Sequence, residues 1–407
     1  VGAGSAGCVL ASRLSEDPAV QVALIEAGPP DTSALIHCPA GIALMARTEI
    51  VSQGLNTVPQ PGLNGRSGFQ PRGRTLGGSS STNAMAYIRG QQADYDHWAQ
   101  QGCTGWAWAD VLPYFIKAEH NERIHNEWHG QNGPLNVADL QSPNALAKRF
   151  VEAGVQAGLP LTTDFNGPTQ EGVGLYQVTQ KAGERFSAAK AYLTPHLGRP
   201  NLHVMTGVTV DRIGLVDGVA RQVHTVQGGK AQSLTARREI ILSAGAFQSP
   251  AILMRSGIGP AAHLQSLGIE VLRDLPGVGE NLHDHPDAVL VADAPPHLLG
   301  RGPRDVDAVD EDVALVEQAR DPAGLEHRQL RDVVQLHALV RDREHVVGRD
   351  DDGVALRVRA HDQVAQVAVH LALDEAVVEH ALDDVLLADR CPLRIDDRVV
   401  CRRRFRQ

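Results

Sequence analysis

An α/β fold, built on a twisted and mainly parallel sheet, is predicted by three observations in the first thirty residues. Gly2, Gly4 and Gly7 form a G-x-G-x-x-G turn. A helical stretch follows through Leu14, and an apolar run rich in β-branched residues, Val20 to Ile25, ends at Glu26. Turn, helix and strand in that order open a doubly wound, Rossmann-like unit.

Each part has a physical role. Gly2 permits the tight turn, Gly4 lets a diphosphate approach the backbone, and Gly7 allows the helix to pack closely on the strand. Open amides at the helix N-terminus form an anion site. Glu26, nineteen residues beyond Gly7, can accept hydrogen bonds from ribose hydroxyls. The strand that should lead into Gly2 is reduced to Val1, so the expectation is a chain that starts inside a structural element.

The next dense region is PRGRTLGGSSSTNAMAYIRG, Pro71 to Gly90. Its glycines and its Ser run before Asn83 describe a loop with many exposed donors. Such a loop cradles phosphates or the polar edge of a ring. On these residues alone a plain surface loop is equally open.

Bulk composition excludes several classes. The chain has 407 residues, with 38 Lys+Arg against 48 Asp+Glu and a net charge of −10, which disfavours a nucleic-acid partner. No apolar run reaches the eighteen residues of a membrane span, so no integral membrane segment is expected. Cys8, Cys38, Cys103, Cys391 and Cys401 show neither pairing nor metal-ligand spacing, which suits a reducing compartment.

Composition breaks near residue 292. Residues 301–407 contain no Lys, Ser, Thr, Asn, Tyr, Trp or Met, and Phe405 is their only aromatic. Arg and Asp occur seventeen times each and Val nineteen times. A folding domain draws on turn formers and large aromatics, and a disordered tail is rich in Ser and Lys rather than Val. From Asp293 to Gln407, every residue except Cys391, Ile395, Cys401 and Phe405 has a codon beginning with C or G. That pattern suits a GC-rich third codon position read as a first, through a shifted frame or the opposite strand. The expectation for 293–407 is an aberrant or disordered tail, not a native domain, with no antiparallel substrate-binding sheet.

The Pro71–Gly90 segment resembles the first signature of the GMC (glucose–methanol–choline) oxidoreductases, flavoproteins that oxidise alcohols. The second signature is similar to GAFQSPAILMRSGIGP, Gly245 to Pro260, and GVGENLHDHP, Gly277 to Pro286, also matches. Ala93–Glu119, Trp128–Val137, Arg185–Pro195 and Arg199–Ile213 continue the resemblance, which covers about residues 1–292. Within the family the chain is most similar to bacterial choline dehydrogenases and related alcohol dehydrogenases. A dinucleotide reductase using NAD matches only the first thirty residues.

The resemblance implies FAD as cofactor. Gly2, Gly4, Ser5, Ala6 and Gly7 would cradle its pyrophosphate and Glu26 its adenosine ribose. Thr75, Gly77, Gly78, Ser79 and the segment Asn83, Ala84, Met85, Ala86 would serve the flavin half. The backbone of Val208 would read the adenine, and Ala244 and Gly245 would close over the cofactor. Some relatives attach FAD through a His directly before this Asn; here that residue is Thr82, which implies non-covalent binding.

The implied domains are an FAD-binding part in 1–140 and 200–292, with 141–199 as inserted α+β substrate or cap elements. The implied reaction is oxidation of a small alcohol, with hydride passing to flavin N5 and a His base taking the hydroxyl proton. No motif for that base follows residue 292, so the catalytic residues stay unassigned. The alternative is a flavin-binding chain without turnover. The electron acceptor (oxygen, quinone or dye) stays open, and the location implied is cytoplasmic, or peripheral to the inner membrane.

Other polar residues are expected to be structural. His283 and His285 are read as serving the cofactor domain. Trp106 and Trp108 are read as core or subunit packing. Asp94, Asp96, Glu119 and Glu122 are read as solvated charges, as is the His120–His125–His129 spacing, with no metal.

Overall fold

The computed structural model describes residues 1–45 and 51–282, together with the backbone of the short strands Val291–Asp293, His345–Arg349 and Ala355–Arg359. The helix Ser5–Leu14 begins at Gly4, and its residues 5–12 are buried. Small side chains let it lie close to the strand Val22–Ile25, which pairs in parallel with Leu202–Met205. Val1 extends this arrangement on the other side. Its amine donates to Ile241 O (2.7 Å), its carbonyl accepts from Ser243 N (2.8 Å), and Gly2 N donates to Ile25 O (2.8 Å). The glycine turn is therefore held between Ile25 and Ser243.

The largest ladder is antiparallel, a correction to the expected mainly parallel sheet. Thr209–Val216, Val219–Gln227 and Lys230–Thr235 form a three-stranded meander. Its two connections are two-residue turns, Asp217–Gly218 and Gly228–Gly229, and all four residues have positive φ. That conformation matches the twist of a hairpin and joins strands without a crossover helix.

The main core joins distant parts of the chain. Cys8 and Val9 meet Tyr95, Trp108, Val111, Phe115, Tyr192 and Leu193. In the helix Trp108–Ala118, Trp108, Val111, Phe115 and Ala118 recur at helical spacing and are all buried. Asp110 closes the start of that helix by accepting from Ala107 N at 3.1 Å. Trp108 stacks with Trp128 at 6.4 Å and tilts against Tyr95 at 5.6 Å. Ala188, Ala189, Ala191, Tyr192 and Leu193, within the segment expected to be inserted, pack in this same core. The helix Ala145–Gln156, by contrast, buries none of its residues.

Three short antiparallel strands lie beyond residue 290. Val291–Asp293 pairs antiparallel with Ala355–Arg359, which pairs antiparallel with His345–Arg349. Leu356 and Val358 alternate with Arg357 and Arg359. Period-two patterning of this kind is a local strand signal that needs no evolved core. The rest of the expectation for 293–407 lies outside the described residues, as do His283 and His285.

Candidate functional site

The glycine turn is built by close backbone approach. Gly2 has φ +92°, and a Cβ there would lie 2.8 Å from Ala244 Cα. A Cβ on Gly7 would overlap the Gly2 carbonyl oxygen, so only glycine lets the helix pack there. A Cβ on Gly4 would meet no protein atom nearer than Ser243 O at 4.0 Å. What Gly4 leaves open is the cleft itself. The main-chain N–H groups of Ser5 and Ala6, in the first turn of a ten-residue helix, make no hydrogen bond among the described residues. This is a donor set suited to an anion.

Glu26 stands at the end of its strand with its carboxylate buried. Oε2 accepts from Ala3 N at 2.9 Å and Oε1 from Gly28 N at 2.8 Å. Each oxygen keeps a second lone pair. Burial raises its pKa above the ordinary carboxylate value, against the opposing pull of these two amide bonds. The Val208 N–H is already spent on Glu26 O at 2.9 Å. Of its backbone groups, the carbonyl is the one left to meet a base.

A cleft of about 260 Å³ gathers five separate stretches of chain: Gly2, Gly4 and Ser5; Glu26; Gly78 and Ser79; Val208; and Ala244 with Gly245. That volume lies below the usual range for a whole drug-sized ligand and suits one half of a dinucleotide. Ala6 and Gly7 lie behind the turn and do not line it.

The second loop reaches the cleft at its first part only. Gly77 N donates to Ala3 O (2.7 Å), which ties it to the glycine turn. Gly78, at φ +52°, sits so close to Gly4 that a Cβ would lie 2.7 Å from Gly4 Cα. Ser79 Oγ accepts from Gly73 N at 3.2 Å. Thr75 turns away and donates its hydroxyl to Pro29 O at 2.9 Å. Asn83 is buried, and its Oδ1 accepts from Met85 N (3.0 Å) and Arg185 Nη1 (3.0 Å). Met85 has φ +63° and accepts from Thr179 N through its carbonyl, while Ala86 enters a strand with Val178. Thr75, Gly77, Asn83, Ala84, Met85 and Ala86 do not line this cleft.

Sequence reading missed two cationic residues in the cleft wall. Arg72 and Arg74 line the cleft, and the Arg72 guanidinium lies 4.6 Å from the Phe247 ring centre. Gln248 Nε2 donates to Gln53 Oε1 at 3.2 Å across the same wall. The available signal was the Arg-Gly-Arg run directly before Thr75.

Two residues read as solvated are buried ions. Glu119 has no exposed surface and pairs with Arg89, Nη2 to Oε2, at 2.7 Å. His129 places Nδ1 2.9 Å from Glu119 Oε1 and Nε2 3.0 Å from Asp164 Oδ2. Both ring nitrogens face a carboxylate, an arrangement that favours hydrogen on both and hence the imidazolium form. Burial alone would lower the pKa of His129, but its bonds to Asp164 and Glu119 outweigh that and hold it above the ordinary value. Glu119 and Asp164 are held below theirs, since bonds to His129 overcome the burial that would raise them. The reason for the correction is packing: Glu119 ends a helix whose other face is core. Of the remaining acids, Asp94 accepts from Gln91 N, Asp96 from Trp108 N and Glu122 from Asn136 Nδ2. Trp108 is in the core and Trp106 packs against it. Among the described residues no acidic, His or Cys cluster is arranged to hold a metal, and no helix is long and apolar enough to cross a membrane.

Residues 1–287 match the family model described as GMC oxidoreductase. The chain is 49% identical over 297 residues to an alcohol dehydrogenase [acceptor] of Pseudomonas putida, covering 72% of this chain and 54% of that protein. It is 47% identical over 285 residues to an oxygen-dependent choline dehydrogenase of Brucella ovis, covering 70% and 52%. Among solved structures it is similar to pyridoxine 4-oxidase from Mesorbium loti, with a TM-score of 0.64, 40% identity and coverage of 68% and 54%. An FAD-dependent oxidoreductase from Chaetomium thermophilum superposes with a TM-score of 0.64 at 33% identity, covering 68% and 50%. The chain thus spans about half the length of the curated relatives it matches.

Proposed function

Because the chain belongs to the GMC oxidoreductase family, we propose that it binds FAD non-covalently and serves oxidation of the CH–OH group of a small alcohol of the choline class. The observation that carries this is the cleft, where family motifs far apart in sequence meet around the open amide of Ser5. That amide and the Gly4 backbone would hold the diphosphate, and Glu26 would take the ribose hydroxyls on its spare lone pairs. Thr82, buried before Asn83, offers a hydroxyl bonded to Ser79 O and no imidazole for a covalent link. When bound, FAD supplies the hydride acceptor at its N5 atom.

In this reading 1–140 and 200–292 form the FAD-binding part and 141–199 the substrate or cap elements. No described residue is assigned as the base. The relatives differ in acceptor by name, one oxygen-dependent and one not specified, so the acceptor stays open here too.

A second reading is a flavin-binding chain without turnover. It is favoured by the end of the family match at residue 287 and by a 301–407 segment with no Ser, Thr or Asn. Flavin absorbance of the purified chain, followed by choline oxidation assayed with a dye acceptor, tests both. Bound flavin with saturable turnover supports the first reading, and bound flavin without turnover the second. A chain that binds no FAD overturns both.

A further inference from the structure

Arg185 is among the largest fully buried side chains of the described residues. Its Nε donates to Ile36 O at 2.9 Å, and Nη1 donates to Asn83 O (2.6 Å), Asn83 Oδ1 (3.0 Å) and Ser80 O (3.3 Å). Its Nη2 is buried without a hydrogen-bond partner. Among the described residues no carboxylate pairs with it, and the ionisable group that acts on it is the Cys38 thiol. Burial pushes its pKa down to about 9, which still leaves a cation at neutral pH.

A buried charge held only by neutral carbonyls costs several kcal/mol in desolvation. Buried charges are ordinarily paired. Apart from Ile36 O, the carbonyls that hold Arg185 belong to the turn Gly77–Asn83, and Gly78 and Ser79 of that turn line the cleft. Ser80 Oγ also accepts from Ala188 N at 3.0 Å, so the segment after Arg185 backs onto the same turn. The cation therefore stands one layer behind the cleft wall, and what it lacks is a negative charge.

We propose that Arg185 is a positioning residue for the cofactor: it fixes the Gly77–Asn83 turn from behind and lends the cleft an uncompensated positive charge. Such a charge favours an anionic occupant and, with the flavin half on the Asn83 side as the family resemblance implies, favours reduced flavin, which is more negative, over oxidised flavin. This rests on the flavin reading above. Arg185→Met removes the charge at similar length, whereas Arg185→Lys keeps the charge and loses the fork.

The test measures the FAD dissociation constant by flavin fluorescence quenching, and the midpoint potential of bound flavin, for wild type, R185M and R185K. R185M is expected to bind FAD at least tenfold more weakly, with reduced flavin weakened a further tenfold. For a two-electron couple that further factor lowers the potential by about 30 mV. R185K is expected to bind more weakly than wild type while keeping its potential. An R185M protein with wild-type potential overturns the proposal, whatever its affinity. Should R185M not fold, R185K decides alone, and wild-type affinity there overturns the positioning role. Wild type that binds no FAD overturns the flavin reading itself, a result distinct from binding that is insensitive to Arg185.

Discussion

Arg89 and Glu119 form an ion pair with no solvent exposure on either side chain, Nη2 to Oε2 at 2.7 Å. Arg89 also donates to Trp128 O at 2.7 Å, and its backbone N–H donates to Asn166 Oδ1 at 2.7 Å. The pair thereby ties the segment after the strand Ala86–Tyr87 to the helix end at Glu119 and to the loop around residue 166. Removing one partner strands the other in a dry site, which costs about 3–5 kcal/mol.

Glu119→Gln is therefore expected to lower the urea unfolding free energy by about 3–5 kcal/mol. The double variant Arg89→Met with Glu119→Leu should lose less than the single, because no charge is left unpaired. A single-variant loss under about 1 kcal/mol would show that water reaches the pair.

The pH dependence of stability follows from His129. Its folded pKa is raised above the ordinary 6.5, so its stabilisation is complete below pH 6.5 and is lost as pH rises through the folded value. Asp164 and Glu119 are lowered from 3.8 and 4.5, so their contribution is present above those values and is lost as pH falls through the folded ones. The Val1 amine, pushed down to about 6 by burial, titrates in the opposite sense. The difference between wild type and His129→Gln isolates the His129 contribution. It should be largest between pH 4.5 and 6.5 and shrink on the alkaline side. A difference that is flat from pH 5 to 9 sinks the imidazolium assignment.

Gly78→Ala tests the contact between the two loops. At φ +52°, with a Cβ 2.7 Å from Gly4 Cα, the alanine must displace backbone. Strain of about 1–3 kcal/mol is expected in thermal or urea unfolding. FAD affinity should fall about tenfold, a difference of roughly 1.4 kcal/mol. Retention of full flavin occupancy after gel filtration would argue that the second loop does not shape the cleft.

Trp108→Ala removes the centre of the aromatic cluster with Tyr95, Phe115 and Trp128. A stability loss of about 3–5 kcal/mol is expected. Below its melting temperature the variant should bind FAD with unchanged affinity, since Trp108 does not line the cleft. A selective loss of FAD binding in folded protein would instead assign Trp108 to the site.

By itself the sequence determined the glycine turn, the helix and strand beside it, and the acid at Glu26. Each is set locally: glycine by the backbone angle it permits, the helix and strand by apolar period, and Glu26 by its distance along the chain from the turn. The hairpin turns Asp217–Gly218 and Gly228–Gly229 were equally local and readable, though the expected parallel sheet hid them. Only the tertiary structure decided which residues of the second loop face the cleft, turning Ser79 toward it and Asn83 onto Arg185. It also decided that Glu119 and His129 are buried ions although their neighbours Glu122 and His120 are the same residue types and are not fully buried. Burial depends on what arrives from elsewhere in the chain: Arg89 lies thirty residues before Glu119, and Asp164 thirty-five beyond His129. Desolvation and ion pairing exist only once those segments meet, so no spacing along the chain could reveal them.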